Sequence, residues 1–166
     1  LSGWAKGYAV DEVAHLLNTH GLENYLVEIG GEVRVNGHNS ENRKWAIAVE
    51  APSTSERVPH AVLRVTNTSV ATSGDYRNYF AYDGAHYSHT IDSRTGRPVT
   101  HNLAAVTVVN PSTAYADAMA TALLVLGPEA GPSLATKLGI AGYFLVRNQT
   151  GIHEITTPVF DQLSAK

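Results

Sequence analysis

Three segments of the chain have the pattern of helices. In residues 5–20 the apolar side chains recur at the spacing of one helical face, which predicts a helix that ends before a glycine. Residues 114–126 are rich in Ala and Leu, which predicts a second helix, and residues 129–138 are expected to form a third that Gly139 ends. The pair Gly127-Pro128 predicts the break between them. The pattern therefore predicts one helix near the beginning of the chain and two in its second half.

Between and after these helices, short runs of β-branched or alternating apolar residues predict strands. The predicted strands are residues 25–29, 32–35, 45–50, 61–66, 69–72, 86–91, 103–109, 143–147 and 151–156. The last two are expected to form a closing hairpin, and the run 103–109 is expected to be buried. Because strands dominate the middle and helices flank them, the predicted class is α+β, with a mostly antiparallel sheet flanked by helices.

Length and composition restrict the possible functions. The 166 residues suffice for one domain with a hydrophobic core, and the net charge of -3 without a basic run argues against nucleic acid as a partner. The absence of cysteine excludes disulfides and thiolate metal sites. No stretch approaches the roughly 18 apolar residues of a transmembrane helix. Because the chain begins without Met, we expect it to be part of a longer polypeptide.

The segment 87–100 gathers ionisable residues around a predicted strand end. It contains the imidazole of His89, the carboxylate of Asp92 and the guanidinium of Arg94, and an Arg-Thr-Gly-Arg-Pro turn closes it. A histidine in a strand, taken alone, is more often structural than catalytic. The neighbouring carboxylate and guanidinium favour a catalytic role, because a base needs a partner that orients it.

Asp117 and Thr121 are four residues apart on the predicted helix 114–126, so they share one face. A carboxylate beside a hydroxyl suits Mg²⁺ or Ca²⁺, which take oxygen ligands. On spacing alone, the structural alternative is the more frequent one. In that alternative the helix dipole stabilises the aspartate and the threonine bonds back to a carbonyl.

Three further segments are compatible with a phosphate or flavin site, and each has a structural alternative. Gly30-Gly31, followed by Glu32, would let a ligand approach the backbone, or would form a bulge or turn with positive φ. Lys6, near the start of the first helix, would suit a phosphate, or would be a solvated lysine. Residues 72–77 could donate hydrogen bonds to a phosphate or a flavin edge, or could serve turn geometry alone.

Five short motifs occur in the order that is typical of one enzyme family. They are Lys-Gly-Tyr-Ala-Val-Asp at 6–11, Glu-Ile-Gly-Gly-Glu at 28–32, Thr-Ser-Gly-Asp-Tyr at 72–76, Ser-His-Thr-Ile-Asp-Ser-Arg-Thr-Gly at 88–96 and Ala-Asp-Ala-Met-Ala-Thr-Ala at 116–122. Together they resemble the FAD:protein FMN transferases, the ApbE family. Each motif alone is weak, but five in register are specific, and the resemblance extends from residue 1 to about residue 147.

The resemblance implies the catalytic portion of a Mg²⁺-dependent enzyme. Such an enzyme splits FAD at the pyrophosphate, transfers FMN to a threonine hydroxyl of a target flavoprotein and releases AMP. By motif, the side chains of Asp117 and Thr121 and the main-chain oxygen of Gly3 correspond to the metal ligands. Phosphoryl transfer of this kind needs a divalent ion that neutralises charge, a positioned hydroxyl and a base.

The resemblance also implies which residues contact FAD and which one is the base. Lys6 and Ile91 fall at FAD-contacting positions, and His89 matches the catalytic histidine, the general base for the threonine hydroxyl. The neighbouring Asp92 and Arg94 are then expected to hold the turn that aims this histidine. A serine follows Asp92 where the family usually has proline, which is expected to loosen the turn without removing a functional group.

Residues 1–166 are accordingly expected to form a single catalytic portion without the family's N-terminal half. That half supplies much of the flavin and adenine pocket, and an acidic residue that would precede Leu1 helps to hold FAD. The resemblance also implies a periplasmic location for the full-length form, as an inner-membrane lipoprotein. Two alternatives use the same residues: an FAD pyrophosphatase that gives FMN and AMP, and a non-catalytic FAD-binding module.

Overall fold

The computed structural model describes residues 2–52, 58–75, 79–82 and 85–164. Its helices and strands, in chain order, are α1 Ser2–Thr19, β1 Tyr25–Ile29, β2 Glu32–Asn36, β3 Trp45–Glu50, β4 Pro59–Val65, β5 Thr68–Gly74, β6 Tyr79–Tyr82, β7 Ala85–Ser88, β8 Ile91–Asp92, β9 Arg97–Pro98, β10 Leu103–Asn110, α2 Thr113–Lys137, β11 Ala141–Asn148, β12 Gly151–Thr156 and α3 Pro158–Ser164. None of the described helices combines the length and the apolar character that a membrane span requires.

Six strands form a central sheet in the order β1-β2-β5-β10-β11-β12. Every neighbouring pair in this sheet is antiparallel, which confirms the predicted α+β class. The other described strands pair as the hairpins β3–β4, β6–β7 and β8–β9. The predicted closing hairpin is also confirmed, as β11–β12.

Strand β10 lies between two layers of the core. Val106 and Val108 belong to a cluster with the apolar side chains of α2. Ala105 and Val109 belong to a second cluster, with the β3–β4 hairpin and α3. Because successive side chains of a strand point to opposite faces, a strand covered on both sides must be apolar at nearly every position. This burial explains the continuous apolar run that predicted the strand.

One predicted strand is wrong. In place of a single strand over 86–91, β7 ends at Ser88 and β8 begins at Ile91. The Thr90 amide donates to the Ser88 hydroxyl at 3.1 Å, so this amide is bonded locally rather than to a neighbouring strand. His89 therefore lies in a break between two strands, where its side chain is exposed.

The helices differ from the prediction at their boundaries. Helix α1 begins at Ser2, earlier than predicted. The two predicted helices of the second half are continuous as α2, but Gly127 inside it has φ 85° and ψ -175°, which confirms the predicted break. The short helix α3 was not predicted. It places Phe160 against the core, where its ring stacks on that of Tyr143 with 5.1 Å between centroids.

Asp11 connects α1 to the beginning of α2. Its carboxylate accepts hydrogen bonds from the backbone amides of Thr113 and Ala114, each at 3.0 Å. The Ser112 hydroxyl donates to it at 3.0 Å and Arg34 at 3.3 Å. Burial alone would raise the pKa of Asp11, but the hydrogen bonds from the start of α2 outweigh it and lower the pKa. The side chain thus caps a helix other than its own.

Replacing Asp11 by alanine is expected to lower the free energy of unfolding at neutral pH by about 2 kcal/mol, because the amides that begin α2 lose their acceptor. The pKa of Asp11 is lowered by folding, so its contribution is present above the unfolded pKa and is lost as the pH falls through the folded pKa. Urea unfolding of wild type and variant, from about pH 7 down to about pH 3, measures both effects.

Glu12→Gln is the matched control, because Glu12 is the next carboxylate on the same helix and is exposed. We expect a change of less than about 0.5 kcal/mol for it. A loss of stability in Asp11→Ala that stayed constant as the pH fell would contradict the capping role.

Candidate functional site

The first half of α2 places Asp117 against the N-terminal part of α1. The side chain is nearly buried, at 2% exposure, and its Oδ2 accepts a hydrogen bond from the Gly7 backbone amide at 3.0 Å. The structural alternative, an aspartate that only stabilises the start of its own helix, does not describe this position. The carboxylate is held by a different helix, at a contact between two elements.

Thr121 lies one turn further along α2, and its hydroxyl is 2.9 Å from the Ser73 hydroxyl on β5. Gly3 lies against the same threonine, since a Cβ added to Gly3 would be 2.8 Å from Thr121 Oγ1. All three residues of the predicted metal site, Gly3, Asp117 and Thr121, therefore lie at the contact between α1 and α2. Ser73 belongs to the segment 72–77 that we predicted as a turn, but it lies in strand β5. Residues 76 and 77 of that segment lie outside the described residues.

Gly7 allows α1 and α2 to approach closely. A Cβ built on Gly7 would lie 2.4 Å from the carbonyl oxygen of Thr113 and 2.8 Å from the Cα of Ala114. Both atoms belong to the α2 backbone, which cannot rotate away as a side chain can. The same approach brings the Gly7 amide within reach of Asp117. The position of this carboxylate therefore depends on a residue that has no side chain.

Gly7→Ala is expected to lower the free energy of unfolding by about 2–3 kcal/mol, because the added methyl group forces the two helices apart. Alanine favours a helix over glycine by about 1 kcal/mol, so the clash must exceed this gain. Urea unfolding measures the difference, with Glu12→Ala on the exposed side of α1 as the control. A stabilised Gly7→Ala variant would contradict the close packing.

Lys6 is fixed by the turn between β1 and β2. Its Nζ donates to Glu32 Oε1 at 2.8 Å and to the Gly30 carbonyl at 3.3 Å. Gly30 and Gly31 have φ values of 61° and 102°, so the prediction of a turn with positive φ is confirmed. A Cβ at Gly30 would lie 3.0 Å from Lys6 Cδ, so this glycine also makes room for the lysine. Lys6 is thus not merely solvated, although 44% of its side chain is exposed.

Glu32 also lies at this site, although the sequence analysis gave its side chain no functional role. It is 1% exposed, and burial raises the pKa of its carboxyl. The hydrogen bond from Lys6 opposes this rise, while the charge of Asp117 adds to it. Lys6 and Gly7 are consecutive in α1, and they contact one carboxylate each. The signal that the sequence offered for Glu32 was its place directly after Gly30-Gly31, in the motif at 28–32.

The segment 87–100, which carries His89, continues after the break into the small hairpin β8–β9. Ile91 is 50% exposed, so its apolar side chain is accessible to a ligand. Arg94 donates to the Asp92 carboxylate from Nε at 2.9 Å and from Nη2 at 2.8 Å, and these bonds lower the pKa of Asp92. The Gly96 amide donates to the main-chain oxygen of Asp92 at 2.8 Å. These contacts support the expectation that Asp92 and Arg94 hold the turn.

The donor atoms at the α1–α2 contact decide which ion could bind there. In the part of the chain that the structure describes, no three His, Asp or Glu side chains are grouped as a metal site. A cation would instead use mixed oxygens, from the Asp117 carboxylate, the Thr121 hydroxyl and the main chain at Gly3. Mg²⁺ accepts few carboxylates and keeps several waters, so this all-oxygen set fits it.

A separate cleft of about 470 Å³ lies near the opposite end of β5. Arg64 of β4, Tyr115 of α2 and Leu163 of α3 are among the residues that line it. None of the residues predicted for metal, FAD or proton transfer contributes to its walls. The candidate site is therefore the α1–α2 contact together with the β1–β2 turn.

Residues 1–144 match the model of the ApbE family. The chain belongs to the ApbE family. This ApbE chain is 43% identical, over 166 residues, to the FAD:protein FMN transferase of Vibrio cholerae O395, and the match covers 100% of the chain and 50% of that protein. It is 39% identical, over 160 residues, to the FAD:protein FMN transferase of Escherichia coli K12, and that match covers 96% of the chain and 46% of that protein.

Solved structures of the ApbE family have the same fold. The flavinyl transferase ApbE of Pseudomonas stutzeri superposes with a TM-score of 0.87 at 46% identity, over 99% of this chain and 51% of that one. The ApbE protein of Thermotoga maritima gives a TM-score of 0.86 at 28% identity, over 99% and 52%. The chain thus spans about half the length of the curated ApbE relatives it matches.

Proposed function

We propose that this chain is the catalytic portion of a Mg²⁺-dependent FAD:protein FMN transferase. The observation that carries the proposal is the buried Asp117 carboxylate, which accepts a hydrogen bond from the Gly7 amide. The Thr121 hydroxyl lies one turn further along α2, and Lys6 precedes Gly7 on α1. Relatives that are about 40% identical have this enzyme name. The residues that would hold the cation lie within residues 1–144, the part of the chain that matches the family model.

In the proposed reaction the oxygen of a target threonine forms a bond to the FMN phosphorus, the bond from that phosphorus to the AMP oxygen breaks, and AMP leaves. His89 accepts the proton of the threonine hydroxyl. Lys6 pairs with a phosphate oxygen of FAD. Ile91 provides an apolar contact to the flavin part of the same molecule. Asp117, Thr121 and the main-chain oxygen of Gly3 would hold Mg²⁺, and the bound ion would neutralise charge on the pyrophosphate. Groups outside this chain complete the flavin and adenine pocket.

The test incubates the full-length protein with FAD, Mg²⁺ and a flavoprotein that has an acceptor threonine. We expect the target to become fluorescent in a denaturing gel, because a phosphoester survives denaturation. AMP should appear in equal amount to the bound flavin. Absence of covalent flavin in the wild-type reaction would overturn the proposal.

Product analysis without target protein separates the two alternatives. An FAD pyrophosphatase uses water as acceptor, so it would release free FMN and AMP at the same rate with or without the target. A non-catalytic FAD-binding module would bind FAD and release no AMP with Mg²⁺ present. The transferase should form little free FMN whether or not the target protein is present.

A further inference from the structure

The Glu32 carboxylate has one oxygen whose role the transferase reaction does not explain. The residue is 1% exposed, and its Oε1 accepts the hydrogen bond from Lys6 at 2.8 Å. The other oxygen, Oε2, is fully buried, and no hydrogen-bond partner for it exists among the described residues. Buried acceptors are nearly always paired in folded proteins, so an unpaired one calls for a partner that the protein part of the site does not supply.

The contacts of α1 place the Glu32 carboxylate beside the candidate metal site. Lys6 contacts Glu32 and the adjacent Gly7 contacts Asp117, so both carboxylates meet the same turn of α1. With both ionised, two negative charges are buried beside one ammonium group.

A divalent cation matches this imbalance of charge. Two carboxylates and one lysine leave a net charge of -1, and burial makes an uncompensated negative charge costly. A cation bound at Asp117 would offset the repulsion between the carboxylates. Its bound water would also provide the hydrogen-bond donor that Oε2 lacks, since Mg²⁺ keeps several of its waters. Carboxylates in this outer position commonly strengthen a metal site.

We propose that Glu32 is part of the cation site: its unpaired Oε2 accepts a hydrogen bond from a water of the bound cation and raises the affinity of the site for Mg²⁺. The inference rests on the proposed function only in that Asp117 holds the cation. It adds a residue to the three metal positions that the resemblance implies, and it concerns cation affinity rather than the transfer step.

The test is a calorimetric titration of the full-length protein with Mg²⁺ alone, without FAD. Glu32→Gln keeps the size of the side chain and an acceptor for Lys6 but removes the charge. We expect it to weaken Mg²⁺ binding by about 10-fold or more. Glu28→Gln is the matched control and should bind Mg²⁺ as wild type does, because Glu28 is exposed in the neighbouring strand and accepts from the Gly31 amide.

Wild-type affinity in Glu32→Gln would overturn the inference. Asp117→Asn distinguishes this failure from that of the proposed function. If Asp117→Asn loses Mg²⁺ while Glu32→Gln does not, only the role of Glu32 is wrong, and if neither variant changes binding, the metal assignment fails as well. If the wild-type protein itself binds no Mg²⁺, both the role of Glu32 and the metal assignment are wrong.

A second variant covers the case in which Glu32→Gln does not fold. Glu32→Asp keeps the charge but withdraws the carboxylate by one methylene. We expect it to bind Mg²⁺ more weakly than wild type, with a wild-type melting temperature in the absence of metal. Unchanged Mg²⁺ affinity in this variant would likewise contradict the inference.

Discussion

Replacing Asp117 by asparagine is expected to abolish Mg²⁺-dependent flavin transfer, with a fall in rate of about 10³-fold or more. The amide oxygen of asparagine can still accept the hydrogen bond that Gly7 donates to Asp117, so the helix contact should persist. What is lost is the charge that a cation needs in a nearly dry environment. The initial rate of covalent flavin formation, measured at saturating Mg²⁺ in the full-length protein, gives the size of the effect.

Stability and activity must be compared in the same Asp117→Asn preparation. We expect the apparent unfolding temperature in the absence of metal to change little, and the protection of wild type by added Mg²⁺ to disappear in the variant. Glu12→Gln, which removes an exposed carboxylate from α1, should retain the wild-type rate. Substantial transfer by Asp117→Asn at saturating Mg²⁺ would contradict the metal assignment.

The fold was predictable where local patterns decide it. The apolar run at 103–109 predicted a buried strand because a strand covered on both faces has no polar side, and β10 is that strand. The pair Gly127-Pro128 predicted the break in α2 for a reason that is equally local. The break at His89 was not predictable in this way. It follows from the hydrogen bond between the Thr90 amide and the Ser88 side chain, which competes with strand pairing.

The site was predictable only in part, because most of its contacts join residues that are far apart in the sequence. Helical spacing placed Asp117 and Thr121 on one face, as the structure shows. Spacing could not show that the Asp117 carboxylate meets the Gly7 amide, 110 positions away, since this depends on how closely α1 packs on α2. The same holds for Lys6 and Glu32, 26 positions apart, which meet because a turn with positive φ brings the β2 strand back toward α1.

Replacing His89 by alanine is expected to lower the rate of flavin transfer by about 10²–10⁴-fold, the usual cost of removing a catalytic base. The side chain is exposed at the break between β7 and β8, so its truncation should leave stability within about 0.5 kcal/mol of wild type. Mg²⁺ affinity should also be unchanged, because the proposed metal positions belong to α1 and α2 and His89 belongs to neither helix. Rates and KM for FAD, measured in the full-length protein, separate chemistry from binding.

Chemical rescue distinguishes a base from a residue that only shapes the hairpin. If His89 accepts the proton of the threonine hydroxyl, added imidazole should restore part of the rate of His89→Ala, and the gain should follow the concentration of the neutral base. A positional defect would not respond to a soluble base. His153→Ala, which truncates an exposed histidine on the edge strand β12, serves as the control and should transfer flavin at the wild-type rate. Full labelling by His89→Ala without imidazole would remove His89 from the mechanism and leave the proton of the acceptor to another group.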